Sequence, residues 1–271
     1  MPLLHRERIG PAPFIAIDHA GRGELILLLH GIGGNKRNWI DNLEVFAEHF
    51  HVAAWDARGW GESDDYDGPL TFADMSADLC RVIDFLGHTR AHLVGLSMGG
   101  RVAMHFADNY PERVRSLVLC DTTQGPKGWT EERRLDFIRS RQEPLLNGLT
   151  PADIANDVAR SLVSPNASAE ALAKLVDSLG RLHKDSYLKA IETNVSDAVL
   201  ADLTKIAAPT LVMVGEDDQL TPPDEAEEIA RLIPTARLSI LKGAGHLINI
   251  EAPDVFNRQV LEFLLETSRG V

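Results

Sequence analysis

The chain has 271 residues, 44% hydrophobic and 25% charged, the composition of an ordinary globular protein with one large domain and room for an inserted subdomain. Its formal net charge of −13 disfavours nucleic acid and anionic membrane surfaces as partners, but leaves an anionic small substrate open, since a few local arginines override a global field. The N-terminus, Met1-Pro2-Leu3-Leu4-His5-Arg6-Glu7-Arg8, turns charged too early for a signal-peptide core, and no apolar run approaches the ~18 residues of a membrane span, so a cytoplasmic protein is expected. Cys80 and Cys120 are expected as two buried thiols. Nothing in the sequence sets the oligomeric state, and a homo-oligomer stays open.

Short apolar runs bounded by turns begin at 14–17, 25–29 and 52–55, and read as strands. A helix follows over 72–86, with Met75, Leu79, Val82, Ile83 and Leu86 at three- and four-residue spacings. Strands at 92–96 and 116–119 come next, the first running straight into Gly95-Leu96-Ser97-Met98-Gly99 and an amphipathic helix. Several of these runs are continuous rather than alternating, as strands covered on both faces require. Between 122 and 199 the rhythm breaks. No strand-like run appears, but helical patterns do, at 131–141, 151–162, 169–182 and 186–195, opened by Gly125-Pro126-Lys127-Gly128 and punctuated by Pro144, Pro151 and Pro165. This stretch is expected as a helical lid inserted after the sixth strand, between core segments 1–121 and 200–271. Strands at 210–214 and 238–241 and helices at 224–232 and 254–265 complete a mostly parallel, doubly wound α/β sheet.

The strand–turn–helix setting of Gly95–Gly99 is what makes it informative. Glycines let the backbone pass close around a strained apex, which holds the Ser97 hydroxyl out at the strand's C-terminal end beside a helix N-terminus. A serine hydroxyl is a poor nucleophile at neutral pH and needs a base, which in turn needs an orienting acid. Among ten histidines, His246 stands out because Gly243-Ala244-Gly245-His246 turns directly after a strand, at the sheet edge where such folds bind ligands. The acid is expected in Gly215-Glu216-Asp217-Asp218-Gln219-Leu220-Thr221-Pro222, which offers three carboxylates after another strand. Two N–H donors are needed for a developing oxyanion, and Met98 and Ile32 are assigned to them, the latter in the turn His30-Gly31-Ile32-Gly33-Gly34. His30 itself is expected to hydrogen-bond within that turn.

The order nucleophile, acid, histidine, with the glycine-rich turn ahead of them, resembles the α/β-hydrolase superfamily over nearly the whole chain. The resemblance rests on His30–Gly34, Asp56-Ala57-Arg58-Gly59-Trp60-Gly61-Glu62-Ser63, Gly95–Gly100, the 215–222 loop and Gly243–His246. In that family the acid is the third residue after the loop glycine, with proline four further on, which implies Asp218. Asp56 and Arg58 are then loop braces. Ser97 sets the chain apart from the dehalogenases and epoxide hydrolases of this fold, which use an aspartate nucleophile. Thr221-Pro222-Pro223, Gly243-Ala244-Gly245-His246-Leu247 and Glu251-Ala252-Pro253 are most similar to 3-oxoadipate enol-lactonase and related small esterases and lactonases.

The implied activity is hydrolysis of a small-molecule ester or (enol-)lactone. A carbon–carbon hydrolase of a ring-fission dienoic acid on the same three residues is one alternative, although Leu96 stands where those enzymes usually carry asparagine. A weakly catalytic, receptor-like ligand binder is another. Trp129, Phe137 and Ile138 are candidates to line an apolar substrate pocket, and Arg133 and Arg134, in a basic run that continues to Arg139 and Arg141, to clamp a substrate carboxylate. No cofactor is implied: there is no H-E-x-x-H or C-x-x-C for a metal, and the glycines at 31, 33 and 34 do not spell a dinucleotide fingerprint.

Overall fold

A computed structural model describes residues 3–127, 129–195 and 200–269. Gly128 and Val199, expected within the helical stretch, lie outside the described residues, as do residues 1–2 and 270–271. Eight strands form one sheet: β1 (His5–Ile9), β2 (Ile15–Gly21), β3 (Leu25–Leu29), β4 (His51–Trp55), β5 (Ala91–Leu96), β6 (Val114–Cys120), β7 (Thr210–Gly215) and β8 (Ala236–Leu241). The helices are α1 (Ile40–Phe46), α2 (Phe72–Phe85), α3 (Met98–Asn109), α4 (Glu131–Leu146), α5 (Pro151–Leu162), α6 (Ala169–Gly180), α7 (Lys184–Asn194), α8 (Pro223–Leu232), α9 (Ile248–Glu251) and α10 (Pro253–Arg269).

Spatial order is β1-β2-β4-β3-β5-β6-β7-β8, antiparallel for the β1–β2 and β2–β4 pairs and parallel beyond. Every residue of β3, β5 and β7 is buried, which is why these runs read as continuous Leu and Val with no polar alternation. The first strand escapes such a reading. Its sequence, HRERI, is exposed at four of five positions and pairs only with β2, so charge on an outer edge conceals it. At the other edge, β8 leaves Leu238 and Ile240 about 40% exposed, an apolar run that is not core.

Register decides which loops meet. Leu29 pairs with Gly95, Leu96 with Cys120, Cys120 with Met213 and Gly215 with Leu241. The turns after β3, β5, β6, β7 and β8 therefore emerge along one edge. Between β6 and β7 the chain leaves the sheet for α4 to α7. Here α4 runs through Pro144 to Leu146, past the break expected at that proline; N-terminal capping by Thr130 and burial of Gln142 and Leu145 hold it together despite the lost N–H. Cys80 and Cys120 are both free.

Candidate active site

Ser97 sits between β5 and α3 with φ 53° and ψ −117°, one of two non-glycine residues with positive φ among the described residues. Such a conformation costs on the order of 1–3 kcal/mol and persists only where the surroundings enforce it. They do so here: Ser97 N–H donates to Cys120 O at 2.9 Å, and Thr122 Oγ1 donates to Ser97 O at 2.7 Å. A β-carbon on Gly95 would lie 2.4 Å from Gly99 O, and one on Gly99 2.2 Å from Leu29 O, so both flanking glycines are required by close backbone approach.

His246, at the turn after β8, is 4% exposed, and its Nδ1 lies 2.8 Å from Asp218 Oδ2. Asp218 is fully buried, and its Oδ1 accepts the N–H groups of Leu220 (2.8 Å) and Thr221 (3.0 Å). The Thr221 hydroxyl donates to Asp218 Oδ2 at 2.7 Å and stands 3.3 Å from His246 Nδ1. Burial alone would raise the Asp218 carboxyl, but the hydrogen bond and charge of His246, joined by the Thr221 donors, outweigh it and hold the group below its ordinary value. Of the other two carboxylates in that loop, Glu216 is exposed and Asp217 is half-buried.

Ser97, His246 and Ile32 line one cavity of about 490 Å³. Its floor is the sheet edge, from Gly31–Gly34, Leu96, Leu220 and Leu247, and its walls are α4 to α7 and the turns between them, including Ile154, Val158, Leu175, Leu179 and Tyr187. Met98 follows Ser97 at the head of α3, and neither its N–H nor that of Ile32 donates to an acceptor among the described residues. His30 is used structurally: its Nδ1 is 2.8 Å from Gly31 O and its Nε2 accepts Ala57 N–H at 3.1 Å, which fixes the Nδ1–H tautomer. Asp56 accepts the N–H groups of Lys36 and Glu62, and Arg58 grips Asp78 through two bonds.

The substrate-contact residues expected on α4 are placed differently. None of Trp129, Arg133, Arg134, Phe137 and Ile138 lines the cavity. Trp129 and Phe137 meet edge to face at 5.5 Å, the exposed Arg133 lies over Trp129 at 4.2 Å, and Phe137 and Ile138 pack against the core. These positions lie before α4 or in its first half, short of the stretch that lines the cavity, where the helix contributes Ser140, Arg141 and Pro144.

Three carboxylate or hydroxyl groups escaped the sequence reading. One is Thr221, three residues beyond the acid and signalled only by the Asp-x-x-Thr spacing. The second is Asp121 (φ 43°), whose Oδ1 accepts Gly215 N–H at 2.9 Å and whose Oδ2 accepts Ile248 N–H at 3.1 Å. Burial, then the charge of Asp218, pushes its carboxyl well above the ordinary value. The third is Glu251, whose Oε2 accepts Ser164 N–H (2.8 Å) and Gly245 N–H (3.1 Å). Among the described residues no group of three or more His, Cys, Asp or Glu side chains is placed to hold a metal ion, and no helix is long and apolar enough to cross a membrane.

Comparison with known proteins agrees with this architecture. The family model described as alpha/beta hydrolase fold matches residues 24–253, and the chain belongs to that family. It is 34% identical over 259 residues to a 2-hydroxy-6-oxononadienedioate/2-hydroxy-6-oxononatrienedioate hydrolase of Burkholderia vietnamiensis, covering 91% of this chain and 89% of that one. It is 26% identical to 3-oxoadipate enol-lactonase 2 of Acinetobacter baylyi, covering 96% and 97% of the two chains. Among solved structures, a thermophilic esterase from Thermogutta terrifontis superposes with a TM-score of 0.86 at 29% identity, covering 97% of this chain and 99% of that one. The protein is a hydrolase of the α/β-hydrolase fold.

Proposed function

We propose that the protein cleaves a carboxylic ester or (enol-)lactone of a small molecule through an acyl-enzyme on Ser97. The observation that carries this is the His246 Nδ1–Asp218 Oδ2 contact of 2.8 Å, with Nε2 left without a partner among the described residues in a histidine lining the same cavity as Ser97. His246 Nε2 takes the proton as Ser97 Oγ adds to the carbonyl carbon, and Asp218 holds the imidazole and stabilises its cation. The oxyanion accepts the N–H groups of Ile32 and Met98, donors that typically lower such a barrier by about 3 kcal/mol each. His246 then protonates the departing alkoxide, and a water deprotonated by the same nitrogen releases the acid. In this reading α4 to α7, within 122–199, are a lid over core segments 1–121 and 200–271. The two free thiols accord with a cytoplasmic location.

Replacing Ser97 with Ala is expected to lower turnover of 4-nitrophenyl acetate by at least about 10³-fold, and a phosphonate ester to add one adduct mass to the wild type only. Unchanged turnover in the variant overturns the mechanism. A second reading is favoured by the relative that is 34% identical: a named hydrolase of a keto diacid with no ester breaks a carbon–carbon bond, and the same residues could serve that reaction here. Turnover of ring-fission dienoates exceeding that of esters and lactones in kcat/KM selects it.

A further inference from the structure

We propose that Arg141 makes this cavity selective for substrates that carry a carboxylate remote from the scissile bond; this rests on the Ser97 hydrolase reading above. The cavity is walled largely by aliphatic side chains, and Arg141 is the one lysine or arginine among its described lining residues. Arg141 is half-buried, and a guanidinium partly withdrawn from water normally has a carboxylate partner. Arg141 makes no ion pair and no hydrogen bond to any described residue. It lies over the face of Phe137, 3.8 Å from the guanidinium carbon to the ring centroid. Phe137 is itself wedged by Trp129, and Trp129 is covered by Arg133, so two adjoining aromatic rings capped at each end by an arginine fix where Arg141 points. Pre-positioning of this kind leaves the planar N–H fork available for bidentate contact with a carboxylate, a geometry lysine does not reproduce.

The rest of the basic run differs in each respect. Arg139 pairs with Asp136 at 3.7 Å on an exposed face, and Arg133 is exposed over Trp129; neither lines the cavity. Burial makes the Arg141 cation less favourable than in water, and Tyr187, a buried cavity residue, is the one nearby group that opposes the effect. Two carboxylates also line the cavity, Asp153 and Asp157, but both are exposed positions on α5. Asp153 is already engaged, accepting the N–H and hydroxyl of Thr150 at 2.8 and 2.6 Å. Both are more open to water than the half-buried Arg141.

The test compares kcat/KM for 4-nitrophenyl hexanoate, mono-4-nitrophenyl glutarate and a trimethylammonium ester of matched length, in wild type, Arg141→Gln and Arg141→Lys. Wild type is expected to prefer the glutarate at least about 10-fold. Arg141→Gln should lower kcat/KM for the glutarate by about 10- to 100-fold, chiefly through KM, while hexanoate changes by less than about threefold. Arg141→Lys should restore part of the glutarate activity. Equal losses on both esters in Arg141→Gln would assign Arg141 to packing and overturn the proposal. So would a wild type indifferent to the carboxylate, or one that prefers the cationic ester. Ser97→Ala separates the two levels: hexanoate hydrolysis that survives it overturns the parent reading, whereas Ser97-dependent hydrolysis with no effect of Arg141 overturns this proposal alone.

Discussion

Glu251 is where the helices above the sheet are laced to the histidine beneath them, and its removal should disable turnover before it unfolds the protein. One carboxylate oxygen accepts N–H groups from both sides of the joint, Ser164 beyond α5 and Gly245 before His246, at 2.8 and 3.1 Å. The other accepts Leu247 N–H, just past His246, at 3.3 Å. His246 N–H completes the joint by donating to Leu162 O at 2.8 Å. Hydrogen bonds to a charged group contribute about 1.5–3 kcal/mol each. The third bond is long and Glu251 is partly open to water, so Glu251→Ala should cost about 2–3 kcal/mol rather than the sum. With the backbone on both sides of His246 released, the imidazole loses its fixed position, and misplacement on the ångström scale lowers turnover by about 10²-fold. Urea unfolding gives the first quantity and kcat on a neutral ester, at a temperature where the variant is folded, gives the second. Glu251→Gln should fall between, since it keeps one acceptor but turns N–H donors against N–H donors. A folded Glu251→Ala with wild-type kcat would refute the reasoning.

Two further outcomes follow from hydrogen bonds that fix one protonation state. Thr221→Val keeps shape but removes the hydroxyl donor to Asp218 Oδ2, and a bond of that kind is worth about 1 kcal/mol, so kcat should fall roughly fivefold, read against unchanged thermal stability within a few degrees; no change in kcat would remove Thr221 from the site. His30 is buried and its pKa is lowered to about 4, because burial disfavours the cation more than the bond to Gly31 O favours it. A histidine depressed in this way stabilises the fold fully above about 6.5, its unfolded value, and its contribution of about 3 kcal/mol drains away as pH falls from there towards 4. The stability difference between wild type and His30→Gln should therefore shrink over that window in urea titrations. A difference that stays constant from pH 7.5 to 4.5 would show that His30 is not held neutral.

How far the sequence revealed this depends on whether a feature is local. The elbow at Ser97 was legible because strand, glycine, serine, glycine and helix follow one another, and the same holds for the turns carrying Ile32 and His246. The parallel core strands were legible because burial on both faces leaves them mostly aliphatic, without polar alternation. β1 was hidden because an edge strand in water tolerates charge at every position. The α4 residues misled for a related reason. Trp129, Phe137 and Ile138 have the composition of a pocket wall, but position along the helix axis decides what reaches the cavity, and the next turn of the same helix gives it Arg141 and Pro144 instead. What stayed invisible were contacts with long loops between the partners. Glu251 reaches Ser164 across 87 residues and Asp121 reaches Ile248 across 127, and no spacing in a single sequence encodes such pairs.

Asp121 and Asp218 show why that blind spot matters for chemistry. Both carboxylates are fully buried at the ends of neighbouring sheet elements, and each repels the other's charge. Their hydrogen bonds separate the roles. Both oxygens of Asp121 are occupied by backbone N–H groups, from Gly215 at the end of β7 and from Ile248 just past the His246 turn, so it binds two loops to the end of β6 and has no oxygen turned to the imidazole. Asp218 spends only Oδ1 on backbone and keeps Oδ2 for His246 and the Thr221 hydroxyl. Burial and the Asp218 charge drive the Asp121 carboxyl up, while His246 draws that of Asp218 down. Position thus separates the two carboxylates: one touches the histidine, and its neighbour ties the loops on either side.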